Sequence, residues 1–211
     1  MDIIKLLKTY SHYLIHPFQT HEAFLHPERG DHYRPMKLSA YESLATSWIF
    51  IIINGISKLF ILNLIISWLY SFFADTSLDY AGLINFSEVP GMYFLVLSAV
   101  LDIIFYPLFG FFIIQYWDIV IKLFGSLLKT PGDIAEKANQ IISVYLSSRI
   151  FKIVPILGAP MQTLGAMVLM YAGLRKQLNA SPILSVCIIL SPIVILMGIA
   201  SMVLLLVLLI A

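Results

Sequence analysis

Charged residues are sparse in this chain and fall between long apolar runs. The first run extends from Leu44 to Phe73 and is broken only by Lys58. The second, Gly91 to Trp117, contains Asp102 and Pro107, and the third covers Ile134 to Leu157. A Gly158-Ala159-Pro160 corner opens a fourth run that ends near Leu174, and the fifth, Ile183 to Ala211, has no ionisable Asp, Glu, Lys or Arg. A helix crosses a bilayer with about 20 predominantly apolar residues. The pattern therefore predicts an all-α, polytopic membrane protein: a five-helix transmembrane domain over residues 43–211, preceded by a short cytosolic amphipathic head over residues 1–42. Pro107 predicts a kink in the second helix, because proline removes a backbone donor and crowds the preceding turn. The first run is longer than a crossing requires, so it tilts or extends past the membrane at its inner end.

In the head, Ile3, Ile4, Leu6, Leu7, Tyr10, Tyr13 and Leu14 fill one broad helical face flanked by Lys5, Lys8 and His12. Two readings are open: a helix lying flat in the interface, or a cap packed under the bundle. The same basic residues break the apolar stretch, so no cleaved signal peptide is expected. Lys5, Lys8, Arg29, Arg34 and Lys37, then Lys122 and Lys129, then Arg175 and Lys176 form three basic regions. The connector with Asp75, Asp79 and Glu88 has no basic residue. Five spans with the basic regions inside put the N-terminus in the cytosol and the C-terminus outside. Arg149 and Lys152 are exceptions near the outer end of the third helix, and either snorkel or are buried for a reason.

Composition narrows the function classes. The chain is 60% hydrophobic and 12% charged, with a net charge of +1 and a mean hydropathy of +0.91. That charge gives no nucleic-acid surface and no polybasic lipid anchor. The single cysteine, Cys187, lies in an apolar run and reads as a small buried filler. Tyr41, Trp48, Trp68, Tyr70, Tyr93 and Trp117 lie near run ends, as interfacial anchors do. Gly158, Gly165 and Gly173 with Ala159, Ala166 and Ala172 mark the fourth helix for close approach, either inside the bundle or in a homo-oligomer.

The chemistry-bearing candidates are the intramembrane Lys58, Asp102, Arg149 and Lys152. Asp102 lies about 15 Å from the outer side, at a depth matching Lys58, so an ion pair between the first two helices is expected. A charge at the bilayer centre costs roughly 2.5–3.5 kcal/mol on insertion scales, which demands a partner or water. The cluster is either a structural pair fixing register or a polar cavity where Arg149 or Lys152 attracts an anionic headgroup. All five histidines, His12, His16, His21, His26 and His32, lie in the head with Glu22, Glu28 and Asp31. His12 and His16, four apart, share a helix face and are the metal candidates. His21 and His26 are five apart, which rotates one ring off the face of the other, and Pro27 follows; a zinc protease site is excluded. No phosphate loop or nucleophile with a base is present, so neither an enzyme nor a cofactor is expected.

The back half carries Ile134-Ala-Glu-Lys-Ala-Asn-Gln-Ile-Ile-Ser-Val-Tyr145, then Val154-Pro-Ile-Leu-Gly158, Met170-Tyr-Ala-Gly-Leu-Arg175 and Ile189-Leu-Ser-Pro192-Ile. Pro17-Phe18-Gln19-Thr20 precedes the first apolar run. This order resembles the Yip domain family, the Ypt/Rab-interacting five-helix membrane proteins, in its bacterial-type members. The resemblance covers roughly residues 16–195. It implies five membrane helices, a cytosolic head and a bacterial inner membrane. It also implies a non-enzymatic role in membrane organisation or trafficking, through contacts with lipids, with itself or with a partner at the head. The Asp-Leu-Tyr-Gly-Pro type motif of eukaryotic members has no counterpart here, so the resemblance does not extend to Rab binding. The alternative expectation is a small transporter or lipid-handling protein built around the polar cluster.

Overall fold

The computed structural model describes residues 3–26, 35–75, 90–154 and 157–210, and every element among them is helical. The order is α1 (Ile3–Ile15), α2 (Pro17–Leu25), α3 (Ala40–Asp75), α4 (Pro90–Leu127), α5 (Ile134–Ser147), a 3₁₀ helix (Ser148–Ile153), α6 (Gly158–Gln177) and α7 (Pro182–Ile210). Arg29, Arg34, Glu28, Asp31 and His32, the loop with Asp79 and Glu88, and Pro155 of the corner lie outside the described residues.

Helix starts follow local chemistry. Ser39 and Glu42 form a reciprocal capping box at α3: the Ser39 backbone N–H donates to Glu42 at 2.7 Å and the Glu42 N–H donates to the Ser39 hydroxyl at 3.2 Å. Asp133 caps α5 by accepting from the Ala135 N–H at 2.8 Å. Gly132 before it has φ +83°, which only glycine adopts without strain.

Among the described residues, three helices are long and apolar enough to cross a membrane, with qualifying segments Ala40–Ile61, Val96–Leu127 and Pro182–Val207. That corrects the expected count of five. The third and fourth runs are different objects. Helix α5 has 14 residues, about 21 Å, and begins with Glu136, Lys137, Asn139 and Gln140. Helix α6 is 20 residues long but is diluted by glycine, Gln162 and Thr163.

A seam of small polar side chains sets the height of α5. The Ala40 N–H donates to Asn139 Oδ1 at 2.8 Å, Ser43 and Ser143 hydroxyls meet at 2.6 Å, and Ser47 Oγ donates to the Leu146 carbonyl at 3.0 Å. The two helices thus run parallel, with the first residue of α3 level with the sixth of α5. At this register the 3₁₀ helix ends level with about residue 56 of α3, and α3 continues for about another 28 Å. Helix α6 returns antiparallel to α5. Its glycines make the return possible: a β-carbon at Gly158 would sit 2.5 Å from the Phe151 carbonyl oxygen, and one at Gly165 would sit 2.7 Å from the Phe151 ring. The expected close approach on α6 is therefore made within one chain.

The result has two unlike halves. In the packed half, Ile121, Ile141, Ile142, Leu146, Met170, Leu174, Leu178 and Ile188 form the main core between α4, α5, α6 and α7. Trp117 belongs to it at 6% exposure, which corrects its expected role as an interfacial anchor. Tyr41, Trp48, Trp68 and Tyr93 do face outward. In the other half, α3, α4 and α7 run on as apolar surfaces, and every residue from Ile193 to Val207 is exposed. Cys187 is on the outer face of α7 and is not a buried filler. The head joins the packed half. Tyr10 and Tyr13 are fully buried, while Ile4, Leu7 and Ile15 face outward from the same helix. The amphipathic face of α1 is therefore a cap over the bundle, with a second apolar surface left outside.

Helix α4 continues through Pro107. Proline has no N–H for the carbonyl four residues earlier, that of Ile103. The Trp48 indole N–H supplies the missing donor at 2.8 Å. Trp48→Phe should therefore destabilise the protein by about 1 kcal/mol, and Pro107→Ala, which restores the helical N–H, should recover most of that loss. Thermal unfolding of the two single variants and the double variant in detergent measures the coupling; strictly additive effects would contradict this assignment.

Candidate functional site: a charged cavity beside the hairpin tip

The hairpin of α5, the 3₁₀ helix and α6 carries Arg149 and Lys152 at its far end. Because of the α3–α5 seam, that end comes level with Asp102 of α4. Asp102 lies about 18 Å from the Pro90 end of α4. Through the antiparallel α3–α4 contact of Gly55 with Ile103 it is level with about residue 56 of α3, about 21 Å from Glu42.

A cavity of about 170 Å³ lies here, lined by Asp102, Tyr106, Arg149 and Lys152 among apolar residues of α3 and α4. Three of the four intramembrane residues singled out from sequence thus share one cavity. Lys58 does not line it; it is exposed on α3 about half a turn beyond that level. The expected Lys58–Asp102 ion pair is not formed: the ion pairs among the described residues are Lys37–Glu136, Lys122–Asp118 and Lys176–Glu22. Asp102 instead faces the hairpin, and Lys152 has Arg149, Asp102 and Lys58 as charged neighbours.

Arg149 is held in place. One Nη donates to Gln162 Oε1 at 3.0 Å, and the guanidinium lies 5.7 Å from the centre of the Tyr106 ring, a cation–π distance. Its Nε is buried without a hydrogen-bond partner among the described residues, as are the Tyr106 and Ser148 hydroxyls. Buried polar atoms are ordinarily satisfied, so the site retains unused donors beside an open volume. Gln162 also lines a second cavity, of about 230 Å³, between α4, α6 and α7. Sequence reasoning missed Tyr106 and Gln162. Tyr106 is four residues from Asp102 on the same helix face, a spacing that could have drawn attention to it.

The head holds a separate polar chain. Lys37 reaches Glu136 at 3.1 Å, Gln140 donates to Glu136 at 2.7 Å, Gln177 donates to Gln140 at 2.9 Å, and the Gln177 amide meets His21 Nδ1 at 3.1 Å. His21 is fully buried. His12 and His16, the metal candidates, have ring centres 5.5 Å apart, but no set of three or more His, Cys, Asp or Glu side chains among the described residues could hold a metal ion.

No family model, curated protein or solved structure matches this chain.

Burial lowers the His21 imidazole to about 3. The folded state therefore keeps the ring neutral over a range where a released head would protonate it. Docking of α2 on α6 is unaffected above about pH 6.5 and weakens by up to about 1.4 kcal/mol per pH unit below that, down to about 3. Hydrogen exchange of α2 should accelerate between pH 7.5 and 5 relative to α5, after correction for intrinsic rates, and His21→Leu should remove most of the difference. Equal slopes in both proteins would refute the link.

Proposed function

We propose that this is a non-enzymatic integral membrane protein that handles lipids, offering a headgroup a polar stopping place inside the bilayer. The observation that carries this reading is the cavity at Asp102, Arg149 and Lys152. It has unpaired donors, and its rim residues Asp102 and Phe109 are exposed on the outward face. A cluster that served only to fix helix register would close its charges on one another. This one has a fixed arginine with donors to spare and a carboxylate without a direct ion pair. The Yip-type assignment and the bacterial inner membrane are proposals that rest on the sequence pieces around Ile134–Tyr145, Val154–Gly158 and Met170–Arg175. An organising role through self-contact or a partner at the head would use the apolar outer surface of α1, whereas the charged cavity favours lipid handling.

In this reading α3, α4 and α7 cross the membrane, and the α5–α6 hairpin enters from the head side and turns back near mid-depth. Lys37, Lys122, Lys129, Arg175 and Lys176 gather at the head end, and this basic excess favours the cytosolic side for it. Non-helical backbone within a bilayer is tolerated where protein or a cavity surrounds it, and the 3₁₀ helix lies against α3 and α6.

Two experiments test this. In a Cys187→Ala background, Leu157→Cys should resist a membrane-impermeant maleimide added from either side; labelling from outside alone would establish a full crossing by α5. In proteoliposomes holding fluorescent lipids, the protein should speed dithionite bleaching of inner-leaflet probes over protein-free vesicles, and Arg149→Gln should remove most of that acceleration. No acceleration by the wild type would reject lipid handling.

A further inference from the structure

The charge balance of the cavity identifies the kind of headgroup it takes. Two cations, Arg149 and Lys152, line it against one carboxylate, Asp102, leaving one positive charge uncompensated. Lys58 adds to the excess from outside the lip. An excess charge at this depth is costly, because low-dielectric surroundings penalise an unbalanced ion far more than a neutral set. One bound monoanion makes the lining neutral.

The donors define the shape of that monoanion. Arginine binds phosphate and carboxylate through a planar fork of N–H groups, and lysine adds a point charge. Gln162 anchors one end of the Arg149 fork, which leaves the other Nη group for a ligand, with the Nε buried behind it. Tyr106 is 8% exposed, lines the cavity, and has a hydroxyl with no hydrogen-bond partner among the described residues. Its ring forms part of the wall and stacks on the guanidinium. Guanidinium and ammonium together suit an oxyanion with several acceptor atoms. The cavity mouth lies between apolar surfaces, with Phe109 exposed at its rim, so the remainder of the ligand is apolar.

We propose that the cavity binds the singly charged phosphodiester of an anionic phospholipid, selecting it over zwitterionic lipids. The phosphate accepts from Arg149 and Lys152, while Asp102 limits the site to one negative charge. A zwitterionic lipid presents the same phosphate but brings its own ammonium, so it does not cancel the excess. This inference rests on the lipid-handling reading and names its ligand.

The test uses the full-length protein in detergent, with phosphatidylglycerol, phosphatidylethanolamine and glycerol 3-phosphate as probes, and reads retention by native mass spectrometry. Wild type should retain one phosphatidylglycerol about tenfold more strongly than phosphatidylethanolamine. Arg149→Gln and Lys152→Gln should each remove that preference. Asp102→Asn should strengthen phosphatidylglycerol retention, an opposite sign that general misfolding cannot produce. Lys122→Gln, at the head end, should change nothing. The proposal is overturned by equal retention of both lipids, by an unchanged Arg149→Gln and Lys152→Gln, or by a weaker Asp102→Asn. Displacement of the lipid by millimolar glycerol 3-phosphate would overturn the lipid source and make the ligand a soluble phosphate. Equal retention alongside faster dithionite bleaching removes the selectivity and leaves lipid handling standing; no bleaching acceleration for either lipid removes both.

Discussion

Helix α5 carries Asn139, Ser143 and Ser147 where a lipid-facing helix would carry leucine, and α3 meets it with Ser43 and Ser47. The hydroxyl pair of Ser43 and Ser143 at 2.6 Å, with a backbone-directed contact on either side, fixes how far α5 rises along α3. Small side chains allow the two backbones to approach, and hydrogen bonds make one register better than its neighbours. Everything at the far end of the hairpin depends on that register. One turn of slip, about 5.4 Å, would separate Arg149 and Lys152 from Asp102.

Because the height is fixed there, the hairpin can carry charges deep into an apolar assembly. Arg149 is stabilised by Gln162 and the Tyr106 ring and not by an ion pair. Asp102 and Lys152 remain close enough to moderate each other's charge. Direct pairing of Asp102 with one of the two cations would have closed the cluster. The arrangement instead keeps polar capacity beside an empty volume, and that is the structural basis for assigning the site to a ligand.

The head end of the hairpin is held by a different device. Lys37, Glu136, Gln140, Gln177 and His21 join the segment before α3, α5, α6 and α2 in one chain of hydrogen bonds running from surface to core. The exposed Lys37–Glu136 pair contributes little by itself. The buried amides matter more, since each lost partner leaves an unsatisfied polar group. This chain and the α3–α5 seam hold the hairpin at both its base and its flank.

Apolar runs alone revealed helices, membrane residence and the four deep charges, because burial in lipid demands long uncharged segments whatever the partners are. The three long helices were legible for that reason, as was the close approach on α6 from its glycines and alanines. Whether α5 and α6 are long enough to cross was not legible: Ile134 to Leu157 counts as one apolar run, yet its first half is polar and its second half is a 3₁₀ helix and a corner. The Lys58–Asp102 pairing failed similarly. Depth along two helices can be counted in residues, but azimuth around them depends on which neighbour occupies each face. Tyr106, Gln162 and the buried His21 acquire meaning only from residues far away in the chain. Sequence by itself determined which segments must leave water. Tertiary structure decided which polar groups meet, because hydrogen bonds and charge neighbours are fixed by the height and rotation of each helix, and hydropathy contains neither.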